Sequence, residues 1–187
     1  TLWELAPREE GCEFDIPTKA SVCSWSKNKA VLKWRQEDGR GIEVTATVSL
    51  DKTKPMSYWD IEHTSFEGDK LMEVYFPRIS NIKEFTNEEV AIAPWTGHLY
   101  KNYRKVSNVL SQRSVIRPTM QVEVIYGDEP SGLYIATNDV NSMAKGSYFE
   151  FEGNTTTYKH VYMLPMSAEN SSFSSSYQSI IGTLHGD

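Results

Sequence analysis

The sequence predicts an all-β fold, an antiparallel β-sandwich, on three observations. Short segments in which apolar and polar residues alternate recur along the chain, the pattern of strands with one face in a core and one in water. Clusters of Gly, Pro, Asn and Asp separate these segments at short intervals, which calls for hairpins rather than the helical crossovers of a parallel sheet. Helical spacing of apolar residues is nearly absent. The 187 residues fit a single sandwich domain spanning 1–187, long enough to bury a core without disulfide or metal staples.

The elements follow in order. The clearest strand is Ile42 to Leu50, where Ile42, Val44, Ala46, Val48 and Leu50 alternate with Glu43, Thr45, Thr47 and Ser49. The apolar set is expected to face the core. Ala30 to Trp34 precedes it across the hairpin signal Glu37-Asp38-Gly39-Arg40-Gly41. Ser57 to His63 and Lys70 to Phe76 come next, with Met72, Val74 and Phe76 expected inward. Pro77 is expected to end that strand or place it at an edge, because proline has no N–H for a ladder. Asn81 to Glu89 has modest helical character, and Pro94 to Arg117 lacks periodicity and reads as a long loop. Beyond it, Met120 to Tyr126 pairs with Gly132 to Asn138, and Ser147 to Glu152 pairs with Thr155 to Leu164 around Gly153-Asn154. A Ser-rich spacer, Asn170 to Ser176, leads to the last strand, Tyr177 to Leu184.

Charge and composition exclude several functions. Net charge is −6 and the Lys and Arg residues are scattered, so the positive patch that neutralises nucleic-acid phosphates is missing. No apolar run approaches the roughly 20 residues of a membrane-spanning helix. Residues 1–5 lack the basic and apolar regions of a signal peptide. Cys12 and Cys23 match no zinc or redox spacing; a disulfide across a hairpin and two free thiols both remain open. The four histidines, His63, His98, His160 and His185, lie far apart and are expected to be structural or solvent-facing. No metal and no cofactor is expected. No nucleophile elbow, phosphate-cradling glycine loop or zinc-protease motif occurs.

Two features touch carbohydrate chemistry. Asp60 and Glu62 share one face of a strand, about 7 Å apart, a separation admissible for a two-carboxylate glycosidase. The simpler reading is the polar face of an amphipathic strand. The second feature is the segment 93–104, which gathers Trp95, His98, Tyr100, Lys101, Asn102, Tyr103 and Arg104 without core periodicity. Aromatic faces stack on the C–H faces of pyranose rings, and amide, imidazole and guanidinium groups bind hydroxyls. With five Trp and ten Tyr in the chain, such a surface is chemically within reach. Pro94 to Arg104 is expected at one end of the sandwich, with at least one of Trp95, Tyr100 and Tyr103 exposed. The alternative is a loop folded back on the sandwich with Trp95 as its anchor.

Three stretches taken together carry a resemblance. They are Leu2-Trp3-Glu4-Leu5; Phe76-Pro77-Arg78-Ile79 followed by Ala93-Pro94-Trp95-Thr96-Gly97; and 120–126 followed by 132–139 and Lys145. In this order the chain resembles the N-terminal β-supersandwich, of galactose-mutarotase-like form, of bacterial glycosidases distantly similar to endo-α-N-acetylgalactosaminidases. The closing residues 180–187 look like the last sandwich strand before a catalytic (β/α)8 barrel. The resemblance implies that the catalytic acids lie in that barrel, a partner within the same polypeptide, and that the parent protein is secreted or at the cell surface. It adds Asn138 and Asp139 to the contact candidates, although the family often has His where this chain has Asn138.

The expected function is therefore an ancillary, non-catalytic domain of a glycoside hydrolase that packs on the barrel and contributes to carbohydrate binding. The carbohydrate- or domain-contact candidates are Trp95, His98, Tyr100, Tyr103, Arg104, Asn138 and Asp139. The rival is an independent carbohydrate-binding module using exposed aromatics. A third reading is a mutarotase-like enzyme with His63 or His160 acting beside a strand carboxylate.

Overall fold

The computed structural model describes residues 2–7, 22–35, 43–64, 71–92, 97–105, 107–114, 121–164 and 172–185. Fifteen strands are found among them: β1 (Glu4–Pro7), β2 (Val22–Ser26), β3 (Lys29–Arg35), β4 (Glu43–Leu50), β5 (Met56–Thr64), β6 (Leu71–Lys83), β7 (Glu89–Ile92), β8 (His98–Lys101), β9 (Val109–Ser114), β10 (Val122–Tyr126), β11 (Ser131–Thr137), β12 (Lys145–Glu152), β13 (Thr155–Met163), β14 (Ser172–Ser174) and β15 (Ser179–His185). The helical element among them is a single 3-10 turn, Tyr103–Lys105. The strands form two antiparallel sheets. The smaller has the order β1-β6-β13-β12-β9; the larger runs β2-β3-β4-β5-β15-β11-β10-β7-β8, with β14 also pairing β5. The chain is an all-β sandwich, as the sequence pattern requires.

Two apolar clusters fill the space between the sheets. In the first, Trp3 of the N-terminal segment meets Trp34 edge-on at 5.7 Å above Val44, Ala46, Ile61, Val74 and Phe76. Val44, Val74 and Phe76 point inward as the alternation demands. Leu50, at the end of β4, does not: it is exposed. The second cluster contains Val90, Ile92, Tyr103, Ile125, Ile135, Phe149 and Tyr158.

Four expectations need correction. Pro77 neither ends β6 nor marks an edge, since β6 lies between β1 and β13 and continues to Lys83. The ladder pairs Tyr75 with Val161 and Arg78 with Lys159, so β6 carries one extra residue at Phe76-Pro77. A bulge of this kind absorbs the missing proline N–H. The peptide bond there is cis. A second extra residue, between the pairs Ile79–Tyr158 and Ile82–Thr156, falls beside Asn81, whose φ is 63°.

The stretch 81–89 is not helical. Asn87 adopts φ 51°, and the Glu88 carboxylate accepts from the Phe85 N–H at 3.2 Å, a local side-chain bond that competes with helix formation. The long loop expected at 94–117 contains β8, the 3-10 turn and β9; edge strands this short leave little periodicity to read. Within the Ser-rich spacer, Ser172–Ser174 forms β14 and pairs with Glu62 to Thr64. β10 pairs with β11 and β12 with β13 in unbroken register, and β3 pairs with β4, while the turn expected at 37–41 lies outside the described residues.

Candidate functional site

The segment 98–105 begins at the outer edge of the larger sheet. β8 pairs with β7 so that His98 sits opposite Ile92 and Tyr100 opposite Val90. His98 is exposed, Tyr100 is half-buried, and their rings lie 6.0 Å apart. Asn102 takes a left-handed φ of 53° and turns the chain into the 3-10 segment. That turn drives Tyr103 into the core, where it is buried and packs on Phe151 at 4.5 Å.

Arg104 follows and joins the two sheets. Its Nε and Nη2 donate to Glu88 Oε1 at 3.0 and 2.8 Å. Its Nη1 donates to the carbonyls of Gly153 and Thr155, and Nη2 also reaches Thr156 Oγ1 at 2.7 Å. The guanidinium lies 4.9 Å from the centre of the Phe151 ring. The Tyr103 hydroxyl donates to the same Glu88 oxygen; burial and the Glu88 carboxylate both push its pKa up. The planar five-donor fork of arginine suits this arrangement. It ties the β7–β8 end of one sheet to the β12–β13 hairpin of the other.

A polar cleft of about 250 Å³ opens beside this knot, lined among others by Glu84, Asn87, Glu89, Lys101, Asn102 and Lys105. Lys101 and Glu89 form an ion pair across it. The amides of Asn87 and Asn102 and the charged ends of Lys101 and Lys105 are the groups here able to meet hydroxyls. Trp95 lies outside the described residues.

Asp139 and Lys145 belong to a different place. Both are buried, with side chains 1% and 7% exposed. Asp139 accepts from the N–H groups of Asn141 and Met143 and from Lys145 Nζ. Burial works to raise its pKa, but the Lys145 ammonium and the two backbone donors outweigh it and hold the carboxyl below its usual range. Burial lowers the pKa of Lys145 against the pull of Asp139. The ammonium also stands 4.4 Å over the Tyr177 ring. Asn138 is exposed, with its N–H bonded to the Gln178 carbonyl.

Next to this pair lies a cavity of about 30 Å³ bounded by Gln121, Glu123, Thr137, Lys145, Ser147, Tyr158 and His160. Burial pushes Glu123 up to about 7 against the opposing bonds from Ser147 and Tyr158. His160 bonds Tyr177 at 2.9 Å, and burial pushes it down to about 3. A displaced carboxyl beside an imidazole has the look of an acid–base pair. The volume decides otherwise: it holds about one or two waters, against the roughly 300 Å³ or more of ligand pockets. A sugar ring does not fit this cavity as it stands. His63 is buried, with neither ring nitrogen hydrogen-bonded among the described residues, and burial pushes it down to about 4.

Other candidates resolve simply. Asp60 lies on the outward face and accepts from Gln178 Nε2 at 2.7 Å, while Glu62 is exposed, the amphipathic-strand reading. Cys23 is free and exposed; Cys12 lies outside the described residues. Among the described residues no three His, Cys, Asp or Glu side chains gather to hold a metal ion, and no helix is long and apolar enough to cross a membrane. The residues that organise these two places, Glu88, Gln121, Glu123 and Tyr177, carry no signal in the sequence, because each acts through partners from distant strands.

No protein-family model and no curated protein matches the sequence. Solved structures do match the fold. The α-galactosidase of Lactobacillus brevis superposes with a TM-score of 0.58 at 9% identity, over 98% of this chain and 26% of its own. The GH36 α-galactosidase AgaA of Geobacillus stearothermophilus, in complex with raffinose, gives 0.54 at 13% identity, over 99% of this chain and 27% of its own. AgaB of the same organism gives 0.53 at 10% identity, over 100% and 27%. The chain thus has the sandwich fold of a region in larger glycoside hydrolases, and spans about a quarter of the length of each. All three are α-galactosidases rather than the endo-α-N-acetylgalactosaminidases suggested by the sequence motifs.

Proposed function

We propose that this chain is an ancillary, non-catalytic sandwich domain of a glycoside hydrolase whose reacting groups lie in another domain of the same polypeptide. The observation that carries the reading is the coverage: the fold likeness takes in 98–99% of this chain but only 26–27% of two α-galactosidase chains. The small volume of the cavity beside Glu123 and His160 agrees with it, since a sugar ring does not fit there. Both the α-galactosidase likeness and the endo-α-N-acetylgalactosaminidase motifs support a parent enzyme acting on α-linked galactose-type sugars; a secreted or cell-surface bacterial parent is part of the proposal and rests on the motif resemblance alone. In this reading the supersandwich is of the galactose-mutarotase-like kind, and the cleft beside Lys101 and Asn102, with His98 and Tyr100 at the adjacent edge, contacts carbohydrate or the neighbouring domain.

The coding sequence beyond Asp187 tests the reading. A following (β/α)8 domain is expected, with hydrolysis of an aryl α-galactoside or α-N-acetylgalactosaminide by the full-length protein and none by residues 1–187. A stop codon directly after Asp187 would refute it. Tight calorimetric binding of a defined polysaccharide by the 187-residue chain, without any catalytic neighbour, would replace it with the binding-module reading.

A further inference from the structure

An antiparallel sheet that covers a core with one face carries polar residues on the other. The larger sheet follows this rule on β3, β4 and the far end of β5, where the outward positions include Lys29, Lys33, Thr45, Thr47, Asp60 and Glu62. It breaks the rule on the other half. Ladder pairing aligns Leu99, Ala91, Val124, Tyr134, Gly182 and Met56 in one row across β8, β7, β10, β11, β15 and β5. The next row runs Val122, Ala136, Ile180, Tyr58. Neither row contains a charge, and strands spaced about 4.8 Å apart make the first roughly 24 Å wide.

These residues point away from the core. On β10, β11 and β15 the inward side chains Glu123, Ile125, Ile135, Ser179 and Ile181 are buried, and Gly182 is covered from outside by the Tyr134 ring, whereas Leu99, Val122 and Leu184 are 49%, 44% and 38% exposed. The surface is flat at its centre, because the Tyr134 ring lies across Gly182 where a Cβ would overlap it. Its rim is polar: the Tyr126 hydroxyl donates to Glu89 at 2.7 Å, and the Tyr58 hydroxyl to Asp51 at 3.1 Å. An apolar centre inside a polar rim is the anatomy of a protein interface.

We propose that the outward face of β10, β11 and β15 is a docking surface for another folded domain of the same polypeptide, one that presents an apolar surface of similar width. The inference rests on the ancillary-domain reading. The occupant follows from two facts. The region this chain resembles is only about a quarter of each matching chain, so most of the polypeptide of such proteins is available to cover it. The rows are also poor in the hydrogen-bonding groups a sugar requires: of their two tyrosine hydroxyls, that of Tyr58 is already bonded to Asp51, which leaves that of Tyr134.

Hydroxyl-radical footprinting of the full-length protein tests it, with Trp25, 77% exposed on an edge strand, as internal reference. Val122, Tyr134 and Leu184 are expected to react severalfold more slowly, relative to their intrinsic reactivities, than Trp25 does. In the Val122→Lys, Leu184→Lys variant the circular dichroism should be unchanged while the Tyr134 rate rises. Fast reaction of all three in a wild-type protein that does contain a catalytic domain would overturn the face assignment and leave the ancillary reading standing. A gene without a further domain would overturn that reading instead. Protection that disappears on dilution would identify a second copy as the occupant and overturn the proposal.

Discussion

The buried Asp139–Lys145 pair makes a quantitative test of how the two sheets are held together. Asp139→Asn keeps the side chain's shape and removes its charge. Lys145 would then sit 7% exposed facing neutral oxygens in place of the carboxylate: that of the new amide, Gln121 Oε1 at 3.3 Å and Thr137 Oγ1 at 3.4 Å. Leaving one member of a buried pair uncompensated costs about 3–5 kcal/mol. Lys145→Met orphans Asp139 in the same way, although the Asn141 and Met143 amides still hold it, so its loss belongs at the lower end of that range. The double variant carries no buried charge and should recover most of the loss, with a coupling of about 2 kcal/mol or more. Urea unfolding reads this directly: at a slope of about 2 kcal/mol per molar, a loss of about 4 kcal/mol moves the midpoint by about 2 M. Single-variant losses below about 1 kcal/mol that simply add would mean that water reaches the pair, and the description of it as a buried tie would be wrong.

Other outcomes follow from the same structure. Val44, 1% exposed, should not tolerate aspartate, Val44→Asp costing several kcal/mol; Thr45→Asp on the opposite face should cost far less, and equal losses in urea unfolding would refute the register. His63 and His160, pushed down to about 4 and about 3, contribute stability that is present above pH 6.5 and lost as pH falls through those values. For His63 the shift corresponds to about 3 kcal/mol, so His63→Leu should flatten the acid limb of a stability–pH profile. Glu123, raised to about 7, acts in the opposite sense: its favourable contribution is complete below pH 4.5 and lost as pH rises through 7, and Glu123→Gln should flatten that side. Arg104→Ala should cost energy at the lower end of about 3–5 kcal/mol, because Glu88 loses its counter-charge but keeps the Tyr103 hydroxyl and the Phe85 N–H, and Arg104→Lys should not rescue it, because an ammonium cannot reach Glu88, Thr156 and two carbonyls together; thermal unfolding of both variants checks this.

The strand that was easiest to read is one whose alternation matches burial: in 43–47, Val44 and Ala46 are buried and Glu43, Thr45 and Thr47 only half so. The stretch 120–126 shows the limit. Its apolar alternation, Val122, Val124 and Tyr126, lies on the outward face, while the inward face holds Ile125 and the carboxyl of Glu123. Periodicity reveals that such a strand has two faces, not which of them meets the core. Tyr103 and Arg104 show another limit. Aromatic and basic residues in an aperiodic segment look alike whether they meet a ligand or their own fold, and here Tyr103 is buried and Arg104 is bonded across the sandwich. Only the positions of Glu88 and the β12–β13 hairpin, 16 or more residues away in sequence, distinguish the two.

The place of β15 has a consequence for how the molecule assembles. The final described strand in sequence sits mid-sheet, between β5 and β11, pairing Ile180 with Tyr58 more than a hundred positions earlier. Until it is inserted, β2 to β5 on one side and β11, β10, β7 and β8 on the other are two half-sheets with open edges facing each other. Closure of loops this long slows folding, and unpaired edges invite the wrong neighbour in the meantime. During synthesis the first half must therefore wait, unsealed, until the ribosome has released residues 179–185, and a chain interrupted before that point would leave both edges free to pair with other molecules.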